Sequence, residues 1–121
     1  MIRDETLSVL ESNLLEEYYR CERIKDFQNQ ELQKIPKGCL VEKKINGKTY
    51  HYIQWHEGKK IKTKYVRNDD VKVYKVLFRK KQRLQTSIKS LDKDMKIIKR
   101  ALGMKFINEY KEEFSNRLSQ S

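Results

Sequence analysis

"CLVEKKINGKTYHYIQWHEGKKIKTKYV", residues 39–66, decides the fold. Apolar and polar side chains alternate through it with a period of two, the spacing of a strand with two unlike faces. Asn46-Gly47 interrupts the alternation, and this pair suits a type I′ turn, which needs positive φ at both central residues. Glu57-Gly58 marks a second tight turn. The stretch predicts three short antiparallel strands, 39–45, 48–56 and 60–66.

Two-residue turns at Asn46-Gly47 and Glu57-Gly58 set Val41 opposite Tyr52, Leu40 opposite Ile53, Tyr50 opposite Tyr65 and Tyr52 opposite Thr63. One face then collects Val41, Ile45, Tyr50, Tyr52, Ile61 and Tyr65. The other collects Leu40, Lys44, His51, Ile53, Trp55, Lys60, Lys62 and Lys64. The tyrosine face is expected to pack on a helix. The lysine face, with Trp55 at its centre, is expected to be a contact surface for phosphates and a stacked or wedged partner group. The inverse arrangement stays open, with Leu40, Ile53 and Trp55 as core and the tyrosines at the rim, because tyrosine tolerates either side.

Helical periodicity flanks the sheet. Residues 4–33 carry Leu7, Leu10, Leu14, Tyr18, Cys21, Ile24 and Phe27 or Gln28 at spacings of three and four, which predicts an amphipathic helix. Pro36 and Gly38 end it. A second helix is expected over 69–102, opened by Asn68 or Asp69 as cap and Asp70 in its first turn. Tyr74, Leu77, Lys81, Leu84, Ile88, Leu91, Met95, Ile98 and Leu102 alternate at three and four like a coiled-coil seam, which also admits a homodimer through 74–102. Gly103 is placed to end or kink that helix, and Met104, Ile107, Phe114 and Leu118 suggest a last helix over 104–118. The expected fold class is α+β: a long N-terminal helix, a three-stranded antiparallel sheet, a long coiled-coil-like helix and a short last one, in a single domain.

The segment "GCLVEKKINGKTYHYIQWHEGKKIKTKYV" resembles a pattern in small uncharacterised bacterial and mobile-element proteins: G-x-L, a basic strand, G-K-x-Y-x-Y and a Lys-rich third strand. Its layout is also similar to the arm-type, three-stranded DNA-binding domains of tyrosine recombinases, in which the sheet enters the major groove and a following helix packs behind it. The resemblance covers roughly residues 38–85 and implies mobile-element biology. The long helices on both sides depart from the arm-domain pattern, and no recombinase catalytic domain follows.

Charge narrows the function. The chain has 121 residues and a formal net charge of +11, with 37% of residues charged and 37% hydrophobic. Residues 1–33 hold four Lys/Arg against eight Asp/Glu, residues 34–66 nine against two, residues 67–103 twelve against four, and residues 104–121 three against three. Positive charge concentrated in the middle of the chain is the footprint of a polyanion binder, although a Lys-rich surface that is merely solvated is the competing reading. The basic start of the second helix, Arg79, Lys80, Lys81 and Arg83, joins the lysine face as a candidate phosphate grip.

Other classes find little support. His51 and His56 have opposite strand parity and cannot share a metal ion without a bulge. No Gly-rich phosphate loop, G-x-S-x-G or H-E-x-x-H occurs. The chain reads as a non-enzyme with no cofactor, metal or catalytic residue. It has no run of about 18 apolar residues and an acidic N-terminus, which argues against a membrane span or signal peptide. Cys21 and Cys39 suit a reduced, cytoplasmic protein. The expected partner is nucleic acid or a nucleoprotein complex. A phage or mobile-element inhibitor of a host nuclease, an anti-CRISPR acting on a CRISPR effector, is the second expectation, and a coiled-coil interaction protein the third.

Overall fold

Ser8 and Glu11 open the first helix by exchanging hydrogen bonds: the Glu11 N–H donates to Ser8 Oγ at 3.0 Å and the Ser8 N–H to Glu11 Oε1 at 3.1 Å. This is a capping box, which satisfies two otherwise unpaired donors at the helix start. Helix α1 spans Val9–Gln33, starting after Leu7 and Ser8; residues 4–6 of the expected helix lie outside the described residues. In the computed structural model, residues 7–104 and, beyond them, 107, 108, 110 and 111 are described. The order is α1, β1 (Cys39–Ile45), β2 (Lys48–Glu57), β3 (Lys60–Val66), a 3-10 turn at Asn68–Asp70 and α2 (Val71–Leu102). The fold is α+β, with one antiparallel sheet in the order β1-β2-β3.

The first hairpin follows its sequence closely. Asn46 and Gly47 both take positive φ, 52° and 79°, and Val41 pairs with Tyr52 and Leu40 with Ile53. The second hairpin turns one residue later than expected. Glu57 pairs with Lys60, so the turn residues are Gly58 and Lys59, and Tyr65 stands opposite Tyr52 rather than Tyr50. Only Gly58 of this turn has positive φ, 63°, which is the requirement of a II′ turn with glycine first. The slip is two residues in register. It leaves every side chain on its expected face, because strand faces repeat every two residues.

The 3-10 turn has Arg67 at its N-cap with no side-chain cap, and is closed by the Asp70 N–H donating to the Arg67 carbonyl at 2.9 Å. Gly103 ends α2. Its φ is 87° and its N–H donates to the Lys99 carbonyl at 2.7 Å, the single-bond left-handed cap that only glycine adopts without strain. The backbone is helical again at Met104, Ile107, Asn108, Tyr110 and Lys111. Phe114 and Leu118, expected in a last helix, lie outside the described residues.

The chain divides into two compact units, one drawn from Met1–Asn29 and Ser87–Ser121, the other Gln30–Thr86. In the first, Leu15, Tyr18, Tyr19 and Cys21 of α1 bury with Leu91, Met95 and Ile98 of α2 and with Ile107 and Tyr110. Lys25 and Asp92 pair across it at 2.5 Å. Leu10 of the expected α1 stripe is 67% exposed, and of the alternatives Phe27 and Gln28 it is Gln28 that turns inward, half-buried, while Phe27 is 61% exposed. Phe27 lies about 180° round the helix from Tyr18. Leu91, Met95 and Ile98, expected in a coiled-coil seam open to a second copy, are covered within the chain.

In the second unit the expected packing of the sheet is inverted. Ile53, Val66 and Val71 form the buried cluster, with Leu40, Trp55, Tyr74 and Phe78 packed against it. The first turns of α2 cover the lysine face, not the tyrosine face. Leu40, Ile53, Trp55 and Val66 present more purely apolar area than hydroxyl-bearing tyrosines, so burying them removes more surface from water without stranding a polar group.

Candidate nucleic-acid interface

The face turned away from α2 is built by β-strand alternation alone. Val41, Tyr52 and Tyr65 form one cross-strand row, Lys43 and Tyr50 the next, and Ile45 and Lys48 the last before the turn. On the other side of the row lie Gln54 with Thr63 and His56 with Ile61. Tyr65 is 50% exposed, Ile61 58% and Ile45 48%. The Tyr52 and Tyr65 ring centroids are 5.7 Å apart at 66°, and those of Tyr50 and Tyr65 are 6.4 Å apart at 56°. The Lys43 ammonium lies over the Tyr52 ring, 5.1 Å from its centroid. Both acids of the sheet, Glu42 and Glu57, alternate to the covered face, so the open face has no carboxylate.

The residues expected at the interface divide into three groups. Lys44, Lys60, Lys62 and Lys64 are exposed, as are Arg79 and Arg83 of α2. Trp55 is half-buried in the cluster under the sheet, and His51 is half-buried with Nδ1 lacking a hydrogen-bond partner among the described residues. These two are scaffold rather than centre of a contact face. Lys80 and Lys81 have intramolecular partners. Lys80 lies 3.4 Å from Glu31, whose carboxyl is held below the usual range first by the Lys34 hydrogen bond and then by Lys80. The Lys81 ammonium donates to the Gly38 carbonyl at 2.9 Å and the Pro36 carbonyl at 3.3 Å, and lies 5.6 Å from the Phe78 ring centre. It ties α2 to the loop that delivers β1. A lysine at an inward position of a helical stripe was the available sign of this role, because such a side chain must snorkel to an acceptor.

Electrostatics separates the two units completely. Gln30–Thr86 holds sixteen Lys/Arg and five Asp/Glu, a net of +11, while the rest of the chain holds twelve of each. The whole net charge of the protein therefore belongs to the unit that carries the open sheet face. Among the described residues, no group of three or more His, Cys, Asp and Glu side chains is placed to hold a metal ion, and no helix is long and apolar enough to cross a membrane.

Tyr50, Tyr52, Tyr65, Lys43 and Lys48 occupy the open face, although periodicity alone assigned the tyrosines to a buried side and gave the two lysines no role. The signal that pointed to them was the placing of both sheet acids on the opposite parity, since an acid-free face is the better candidate for a polyanion.

The architecture is that of a small α+β module, in which a three-stranded antiparallel sheet follows one long helix in the chain and precedes another. The profile of a family described as a domain of unknown function, DUF6788, matches residues 14–76, just over half of the chain, and the protein belongs to that family. The matched segment contains all three strands and ends before Arg79. No curated protein and no solved structure matches the chain.

Proposed function

We propose that this protein is a non-enzymatic nucleic-acid-binding protein of the cytoplasm, of the kind carried by phages and mobile elements, acting through the Gln30–Thr86 unit. One observation carries the reading: the entire net charge of +11 lies in that unit, beside an acid-free sheet face that bears three tyrosines. Sixteen cations on so small a unit attract phosphates and release counterions on binding, a contribution indifferent to sequence. Exposed Lys60, Lys62 and Lys64 on the edge strand β3, with Arg79 and Arg83 on α2, extend the positive surface beyond the open face.

The test is a mobility-shift titration against duplex DNA, single-stranded DNA and structured RNA over a range of salt. Binding should weaken steeply with salt. A Lys60/Lys62/Lys64→Ala triple should flatten the log–log slope by about 0.9 for each duplex phosphate it no longer neutralises, or about 0.7 for single strands. Absence of binding to all three at low salt overturns the reading. Binding instead to a CRISPR nuclease effector in a parallel pull-down would favour the inhibitor role.

A further inference from the structure

We infer that the open sheet face takes a single-stranded segment of nucleic acid, with unpaired bases on Tyr50, Tyr52 and Tyr65 and phosphates at Lys43 and Lys48. This rests on the nucleic-acid reading above and adds the form of the ligand. The rings are the first reason. Their planes are inclined by 56° and 66° rather than stacked on one another, and the face they occupy is not covered by α2. Such rings offer π-surface to a guest, and a base can use it only if its own faces are free. In a duplex those faces are closed by the neighbouring base pairs, whereas an unpaired strand exposes them.

The second reason is the company these rings keep. Lys43 and Lys48 stand toward the Asn46-Gly47 turn, and Gln54, Thr63 and His56 toward the opposite end. The cations suit phosphates, and the amide, hydroxyl and imidazole groups suit base edges. With no carboxylate on the face, charge complementarity selects a polyanion over an apolar or basic partner.

Fluorescence anisotropy with a labelled oligothymidylate of about twelve nucleotides, a length within the range that single-strand-binding folds cover, tests this beside the same strand annealed to its complement. The single strand should bind at least tenfold more tightly than the duplex at equal salt. Tyr52→Ala and Tyr65→Ala should each weaken single-strand binding by roughly ten- to a hundredfold, the range typical of removing one base–aromatic stack, and should leave duplex binding nearly unchanged. Tyr52→Phe, which keeps the ring, should bind like the parent, and the unchanged duplex binding of the alanine variants shows that their lower affinity is not a failure to fold. Equal or tighter duplex binding, or tyrosine-to-alanine variants that bind the single strand normally, overturns the inference and leaves the nucleic-acid reading standing. Failure to bind either probe overturns the inference, and the nucleic-acid reading falls with it when structured RNA also fails to bind.

Discussion

Lys81 on α2 and Gly38 ahead of β1 are joined by a 2.9 Å hydrogen bond from the ammonium to the carbonyl, 43 residues apart in sequence. The same ammonium reaches the Pro36 carbonyl, so one side chain satisfies two acceptors in the loop between α1 and the sheet. Lys81→Ala should lower stability by about 1–2 kcal/mol, since hydrogen bonds from charged donors exceed neutral ones. Arg79→Ala, two positions away and exposed, should stay within about 0.5 kcal/mol. Urea midpoints of the two variants check the contrast, and equal midpoints would deny Lys81 its role in the loop.

Gly38 itself tolerates no side chain. Its φ is 91°, and a Cβ there would lie 2.0 Å from the Gln54 carbonyl oxygen and 2.9 Å from Trp55 Cβ. Both the left-handed backbone and the collision with fixed strand backbone act against substitution. Gly38→Ala should cost on the order of 3 kcal/mol. Gly47→Ala, where nothing lies within 4 Å of the added carbon, should cost only the backbone preference, about 1–2 kcal/mol. Thermal melts that rank Gly47→Ala as the more damaging would contradict this geometry.

Trp55 is the only tryptophan, and it packs against the Ile53–Val66–Val71 cluster. Its emission should be blue-shifted before any partner is added. Trp55→Ala should destabilise by about 2 kcal/mol, less than the roughly 3–5 kcal/mol of a fully buried ring, because the side chain is only half-buried. Emission at the wavelength of free tryptophan, with an unchanged melt, would restore the lysine face as the open one.

Tyr19 gives the other unit an alkaline limit. Its hydroxyl donates to the Ile107 carbonyl, and burial, reinforced by the charge of Glu22, pushes its pKa from 10.0 to about 12. The unfolded chain therefore loses this proton at lower pH than the folded one. The stability that follows is complete below pH 10 and is lost as pH rises from there to about 12. A phenolate absorbance titration should show a step near pH 12 that Tyr19→Phe removes, and the variant's melting temperature should fall less steeply across the same interval.

Local chemistry alone determined much of this protein. Asn46-Gly47 dictated its hairpin because few residue pairs accept two positive φ values, and period-two alternation assigned each strand residue to a face. That assignment survived a two-residue error at the second turn because two is the period of a strand. Periodicity likewise placed both long helices, and the count of lysines placed the charge. Tertiary structure decided which face of the sheet the helix covers. Alternation says that two sets of side chains are separated, but not which set another element will bury, and Tyr50, Tyr52 and Tyr65 are amphipathic enough to serve on either side. Lys81 belongs to the same class of question. As a residue type it reads as a phosphate contact, and only the arrival of the Pro36 and Gly38 carbonyls beside it, brought by packing of the sheet on α2, makes it a structural tie.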